Sequence, residues 1–446
     1  MPKHFTLYSA ALFCLGSFST WAQEFKPAQV DSLLNSLVAN KKMMGSLAVS
    51  HDGKELYSRA FGYTQTDGAT TIPAAATTRY RVGSISKVFT ATMIFQLIEE
   101  KKLTLETPLA TFFPQLPNAQ TITIDHLLSH HSGLHNFTND AAYKGYMTQP
   151  QTRAQMLARM ADMKPDFEPG TKAAYSNTNF VLLGYIVEDL TKMPYAKALE
   201  KRVVNKIGLK NTYYGGKITP RKQEALPYEA SDGVWKLAPE TDMSIPGGAG
   251  SVVSTPTDLN HFLEALFGGQ LVSAASLEAM KTVRDGYGRG LLKRTLGDRV
   301  SYGHGGAIDE FRSDMFYFPA EKLTLAITAN AQSYPVSEVA RAARWSYFGQ
   351  PYALPHFEAS TYVPAAADLD RYVGTYANPK VPLKITMTRD GNTLKSQGTG
   401  QSVLTMEALR KDVYKFDRAG IVVVFDANKP SFMLKQGGVE TEFVKE

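Results

Sequence analysis

Tyr80-Arg81-Val82-Gly83-Ser84-Ile85-Ser86-Lys87-Val88-Phe89 is the stretch from which the rest of this 446-residue chain is read. From Ser84 onward, Val88, Phe89, Met93, Ile94 and Leu97 recur at helical spacing on more than one side. The pattern predicts a buried helix running to about Lys101. Ser84 and Lys87 lie three residues apart and share a face, with Cβ atoms roughly 5–6 Å apart. A serine hydroxyl is a weak nucleophile that needs an adjacent base. A desolvated lysine near a helix N-terminus can lose its proton near neutral pH and serve as that base. The helix start also directs the Ser84 N–H toward a reacting carbonyl. Alone, Ser-x-x-Lys arises about once by chance in a chain this long, and reads equally as a serine cap followed by a solvated lysine.

Two further elements change that balance. Tyr175-Ser176-Asn177 follows the turn Glu168-Pro169-Gly170 and precedes a predicted helix over Phe180–Leu190. A phenol between a cationic lysine and a serine is expected to have a lowered pKa and to relay protons. Asn177 is placed to donate to a substrate carbonyl. His304-Gly305-Gly306 stands at the end of a predicted strand, Val300–Gly303. Small residues on an edge strand admit a substrate backbone alongside, and the Ala307 N–H would join that of Ser84 as an oxyanion hole. Decoys exist: Tyr376-Ala377-Asn378 repeats the tyrosine pattern, and His51 and His131 also head His-x-Gly triplets. His51 falls in a hairpin turn, and His131 precedes Tyr175 in a loop, so chain order selects His304.

Ser84-x-x-Lys87, Tyr175-x-Asn177 and His304-x-Gly306, in this order, resemble the penicillin-recognising serine hydrolases. That family includes class C β-lactamases, D-alanyl-D-alanine carboxypeptidases, D-aminopeptidases and β-lactamase-like esterases. The resemblance spans roughly residues 30–350, and Leu127-Leu128-Ser129-His130-His131-Ser132-Gly133-Leu134 and Gly247-Gly248-Ala249-Gly250 extend it. It implies acylation of Ser84, general acid–base roles for Lys87 and Tyr175, and substrate contacts from Asn177, His304, Gly305, Gly306 and Ala307. It further implies a small peptide, ester or β-lactam as substrate, and no cofactor. True class C β-lactamases carry Lys-Thr-Gly where this chain has His304-Gly305-Gly306. Histidine there is more like the D-specific peptidases and some esterases. The leading expectation is therefore a D-amino-acid-specific peptidase or carboxypeptidase acting on peptidoglycan-like peptides. A carboxylesterase is the alternative; a class C β-lactamase and a non-catalytic penicillin-binding module rank lower. Glu310-Phe311 replaces the Gly-Phe of many relatives, which puts a carboxylate near the pocket rim or has no effect.

Outward from these motifs, Gly45–Ser50 and Glu55–Tyr63 read as strands joined by Asp52-Gly53, a hairpin signal. Strands return at Tyr287–Leu292, Val300–Gly303, Arg312–Phe318 and Leu323–Thr328. Helices are expected at Ala28–Val38, after the Thr255-Pro256 cap, and at Val336–Tyr347. Strands, a helical middle, strands and a helix predict an α/β fold, one antiparallel sheet sandwiched by helices with a helical insertion. Residues 351–368 are proline- and alanine-rich and read as a linker. Residues 369–446, with Leu383, Ile385 and Met387 alternating against polar neighbours, predict a small all-β barrel like the lipocalin-like module of some relatives.

Residues 1–22 read as a secretory signal: a basic start, an apolar run over Phe5–Phe18 too short to span a bilayer, and Thr20-Trp21-Ala22 before cleavage. The sole cysteine, Cys14, lies inside it, which excludes disulfides and thiol chemistry from the mature protein. The expected product, residues 23–446, is secreted or periplasmic with no stable membrane anchor, its oligomeric state left open. A net charge of +6 is spread without a dense basic run, so nucleic acid is not an expected partner. His130, His131 and His135 lack a carboxylate at ligand spacing, and no metal site is expected.

Overall fold

The computed structural model describes residues 25–446, apart from 68–69, 232–233, 351, 353, 356, 358–359 and 437–438. The signal segment, Pro351 and the Gly437-Gly438 turn lie outside the described residues.

The first unit has the expected β-lactamase-like α/β architecture. Helix α1 (Pro27–Ala39) leads into β1 (Met43–His51) and β2 (Lys54–Phe61), paired antiparallel. Asp52 (φ 49°) and Gly53 (φ 77°) supply the two left-handed residues of a type I′ hairpin. Helices α2 (Ser86–Glu99), α3 (Asn177–Thr191) and α4 (Pro256–Phe267) follow; the Thr255 hydroxyl caps α4 by accepting from the Asp258 N–H. The sheet is completed by β3 (Leu292–Leu296), β4 (Arg299–Ile308), β5 (Phe311–Phe318) and β6 (Leu323–Gln332), and α5 (Val336–Tyr347) closes the unit. Strand order is β3-β4-β5-β6-β1-β2, antiparallel along that path. A hairpin of Tyr228–Ser231 and Val234–Leu237 joins the sheet through one parallel bridge, Ala331 to Tyr228.

Alternation along β5 and β6 explains the layering. Met315 and Ala326 face a core shared with α2, α3 and α4. Phe316, Phe318, Leu325 and Ile327 face the opposite core, built with Leu33 and Leu37 of α1 and Val339 and Ala343 of α5.

Two strand expectations are corrected. Tyr287–Leu292 is not a strand: Arg284 and Tyr287 close a turn, Gly290 adopts a left-handed φ of 79°, and pairing starts only at Leu292. Strand β4 runs five residues past the expected end at Gly303, so His304-Gly305-Gly306 lies within it. Because β3 pairs only with Arg299–Gly303, the His304–Ile308 half of β4 keeps one free edge.

The C-terminal unit is a nearly closed nine-stranded barrel. It comprises β7 (Gly374–Asn378), β8 (Val381–Asp390), β9 (Thr393–Gly398), β10 (Leu404–Thr405), β11 (Glu407–Arg410), β12 (Val413–Phe416), β13 (Ile421–Phe425), β14 (Ser431–Gln436) and β15 (Val439–Lys445). The pairing order is β10-β9-β8-β7-β15-β14-β13-β12-β11. The two ends meet at the Met406 N–H, which donates to the Leu394 carbonyl. Tyr376, Met387, Tyr414, Phe425 and Phe432 fill the interior. A short helix over Ala366–Asp370 occupies the end of the expected linker. Among the described residues, no helix is long and apolar enough to cross a membrane.

Candidate active site

The site begins with backbone forced into close approach. Gly83 (φ 51°) leads a single 3-10 turn, Gly83–Ile85, that flows into α2. A Cβ on Gly83 would lie 2.8 Å from the Ala307 backbone, and one on Gly306 would lie 2.0 Å from the Val82 carbonyl oxygen. Glycine at both positions lets the Ser84 turn press against β4. The Ser313 hydroxyl donates to the same Val82 carbonyl at 2.8 Å. Arg81, buried, donates to Asp309 at 2.7 Å and to the Thr241 and Gly216 carbonyls, tying the strand before Ser84 to the loop after β4. Gly306 therefore serves the fit of the nucleophile turn, a tighter role than the expected accommodation of substrate.

Ser84 Oγ sits between two proton carriers. Lys87 Nζ lies 3.0 Å away, and the Tyr175 hydroxyl donates to it at 2.6 Å. Lys87 is fully buried, and its amine also donates to Asn177 Oδ1 at 2.8 Å and to the Ala249 carbonyl at 2.9 Å. Two of the three positions on the amine face pure acceptors and the third faces Ser84 Oγ, the position that receives the serine proton once the amine is neutral. Burial holds the Lys87 ammonium well below its ordinary range, which eases the loss of its proton.

Tyr175 departs from expectation. Its phenol is pushed up to about 12, chiefly by burial, and not lowered. Tyr175 therefore rests as a protonated donor to Ser84 Oγ. Its ring packs on His130, centroids 4.6 Å apart, and His130 packs in turn on Phe180 and Tyr287. His130 Nδ1 accepts from the Ser176 N–H at 3.2 Å, which places the imidazole proton on Nε2. Burial first, and Lys87 second, depress the His130 pKa well below its usual range. This buttress was missed as such: the sequence shows only a histidine-rich loop, and ring stacking leaves no mark in spacing. The histidines do not converge: His131 pairs with Asp285 at 3.0 Å and His135 with Asp166 at 2.7 Å.

Asn177 is the first residue of α3, one turn earlier than the helix expected at Phe180. Its amide is engaged at both ends, with Oδ1 on Lys87 and Nδ2 donating to Thr138 Oγ1 at 3.1 Å. Thr138 and Asn136, which accepts from the Asn177 N–H at 3.0 Å, are positioning residues that no sequence signal marked. His304 is buried, with its Nδ1 against the Gly305 carbonyl, and its ring centroid lies 6.4 Å from that of Tyr175. Burial and the neighbouring Lys87 depress its pKa to about 3, so it is neutral. The Tyr376 decoy lies far from this chemistry, inside the barrel, where its hydroxyl donates to the Tyr372 carbonyl at 2.9 Å.

Beside Ser84 opens a cleft of about 330 Å³, lined among others by Phe137, Tyr143, Met147, Ala307, Asp309 and Arg312. The Asp309 carboxylate is committed to Arg81 and to the Thr241 N–H and hydroxyl. Arg312 reaches only the Asp309 and Phe311 carbonyls. It is the charged lining residue without an ion-pair partner among the described residues.

The family model described as beta-lactamase matches residues 30–348. A penicillin-binding protein of Bacillus subtilis (strain 168) is 27% identical over 94% of this chain and 99% of its own length. The solved D-amino acid amidase from Ochrobactrum anthropi SV3 is 29% identical with a TM-score of 0.61, over 68% of this chain and 91% of its own. An octameric penicillin-binding protein homologue from Pyrococcus abyssi, 23% identical, shares the fold with a TM-score of 0.67 over 94% of this chain and 98% of its own. The chain belongs to the beta-lactamase family and is a serine hydrolase of that superfamily.

Proposed function

We propose that Ser84 is acylated by a peptide ending in a D-amino acid, and that the enzyme is an exported D-amino-acid-specific peptidase or carboxypeptidase. The observation that carries the mechanism is the buried Lys87 amine, 3.0 Å from Ser84 Oγ with its two N–H donors directed at Asn177 and Ala249. Ser84 Oγ attacks the substrate carbonyl carbon while its proton passes to the Lys87 lone pair. The carbonyl oxygen becomes an oxyanion held by the Ser84 and Ala307 N–H groups. As the C–N bond breaks, the leaving amine takes the Tyr175 hydroxyl proton, and the neighbouring Lys87 ammonium, 4.8 Å from the Tyr175 ring centre, gives its proton to the phenolate oxygen. Water then attacks the ester by the reverse route, giving a free acid and restoring Ser84.

Two features support the peptide reading, the first over a β-lactamase and the second over an esterase. His304 stands where true class C β-lactamases carry a lysine, and being neutral it supplies no cation there. Arg312, which has no carboxylate partner among the described residues, offers its guanidinium to a substrate carboxylate, a group that a carboxypeptidase substrate carries and a simple ester lacks.

The test is a comparison of D-alanine release from diacetyl-L-lysyl-D-alanyl-D-alanine with 4-nitrophenyl acetate and nitrocefin hydrolysis. The expected result is fastest kcat/KM on the peptide, with Arg312→Gln raising KM for the peptide and leaving the ester unchanged. Faster ester turnover, indifferent to Arg312, would transfer the assignment to a carboxylesterase. Export is tested separately: the mature protein should begin at Gln23 when recovered outside the cytoplasm.

A further inference from the structure

A cavity of about 860 Å³, within the size range of small-molecule sites, lies between α5 and the outer wall of the barrel. It shares no lining residue with the cleft beside Ser84. The barrel wall departs from its usual pattern here. Strands alternate, and Val423 and Phe425 point into the barrel core, so Val422 and Val424 point outward. An outer barrel face in water would be polar at such positions. Instead Val422 and Val424 line the cavity, joined by Val413, which pairs with Val424 on the neighbouring strand.

The opposite wall is one face of α5: Glu338, Arg341 and Trp345 recur at helical spacing and all line the cavity. The Arg341 side chain is only 9% exposed. Its Nη2 donates to Glu338, and its guanidinium lies 4.7 Å from the centre of the Trp345 ring. Its Nε and Nη1 are buried with no hydrogen-bond partner among the described residues. Buried donors are almost always paired, so two orphaned N–H groups on a buried cation mark a place for an acceptor. No carboxylate in the lining is free to supply it. Glu338 is already on Arg341, Asp417 accepts from Lys42 at 2.9 Å and Lys415 at 3.1 Å, and Glu440 accepts from Lys435 at 2.8 Å.

We infer that this cavity is a binding site for an amphipathic monocarboxylate, its apolar body against Val413, Val422, Val424 and Trp345 and its carboxylate on Arg341. Of the other cations in the lining, Lys415 and Lys435 are held by Asp417 and Glu440, and Arg410 lies beside them; the buried, half-used Arg341 guanidinium is the donor facing apolar walls and matches one singly charged acid.

The test uses the mature chain with decanoate and 1-decanol as probes, followed by Trp345 fluorescence, with Trp345→Phe to identify the signal. Decanoate should give a saturable change at one site per chain, and 1-decanol should bind at least tenfold more weakly. Arg341→Gln should weaken decanoate at least tenfold, change 1-decanol less than twofold, and leave ester turnover at Ser84 intact. Ser84→Ala should bind decanoate as the parent does. If Arg341→Gln does not fold, Val422→Phe, which fills the cavity, should abolish decanoate binding while ester turnover persists. No saturable response, equal affinity for acid and alcohol, binding that survives Val422→Phe, or binding lost in Ser84→Ala would each overturn the inference.

Discussion

The chain contains Tyr-x-Asn twice, at Tyr175 and at Tyr376, and the two tripeptides have nothing chemical in common. Tyr175 stands at the entry to α3 with its hydroxyl 2.6 Å from Ser84 Oγ, and Asn177 holds Lys87. Tyr376 is a barrel strand residue whose hydroxyl ties one backbone carbonyl, and its ring packs on Phe432, centroids 4.9 Å apart. Both phenols are raised by burial, to about 12 for Tyr175. A perturbed, buried tyrosine is therefore no sign of function by itself. What separates the two is a nucleophile within hydrogen-bond reach and a buried amine beside it.

The comparison can be broken in order of expected effect. Lys87→Met should lower kcat/KM by about 10⁴-fold or more, because a triad-like unit fails when its base is removed. Single-turnover acylation would measure it, and a loss below tenfold would move the base elsewhere. Tyr175→Phe should cost about 10²–10⁴-fold, the usual worth of a positioned proton donor. Tyr376→Phe should leave turnover unchanged and lower stability by about 1–2 kcal/mol, as the Tyr372 carbonyl loses its partner. Equal kinetic effects in the two variants would end the distinction.

Gly306→Ala comes next. Its Cβ would collide with the Val82 carbonyl, so acylation should slow at least tenfold while circular dichroism stays native.

The pH dependences are smaller and sharper. Activity should rise with pH as Lys87 loses its proton, with a midpoint well below an ordinary lysine, and His304→Gln should not move that midpoint. His304 should show itself in stability instead. Its folded pKa, about 3, lies below the ordinary histidine value near 6.5. The unfolded chain therefore binds a proton that the folded chain refuses. Stability is full above about 6.5 and declines as pH falls toward 3, and His304→Gln should flatten that decline in denaturant titrations.

Much of this was legible in the sequence. Ser84 and Lys87 meet because three-residue helix spacing is a local rule, while Tyr175, Asn177 and Ala307 were brought beside them by the order of motifs in the resemblance. The nearly closed barrel was legible from alternation along Leu383–Met387. What escaped was non-local. The stack of His130 on Tyr175 and the clamp of Thr138 and Asn136 on Asn177 depend on loops far apart in the chain meeting in space. The pKa of Tyr175 was misread because a neighbouring lysine was expected to lower it, whereas burial of the phenol is the largest influence and raises it. The false strand at Tyr287–Leu292 looked apolar enough, but Gly290 turns the chain before pairing can begin.

The most direct measurement is identification of the acylated residue. The mature protein would be incubated with a fluorescent penicillin, quenched in acid and digested, and the labelled peptide sequenced by mass spectrometry beside a Ser84→Ala control. The account predicts one label per chain, on Ser84, absent from the control and slowed in Tyr175→Phe. Label on any other residue, or undiminished labelling and turnover in Ser84→Ala, would contradict it.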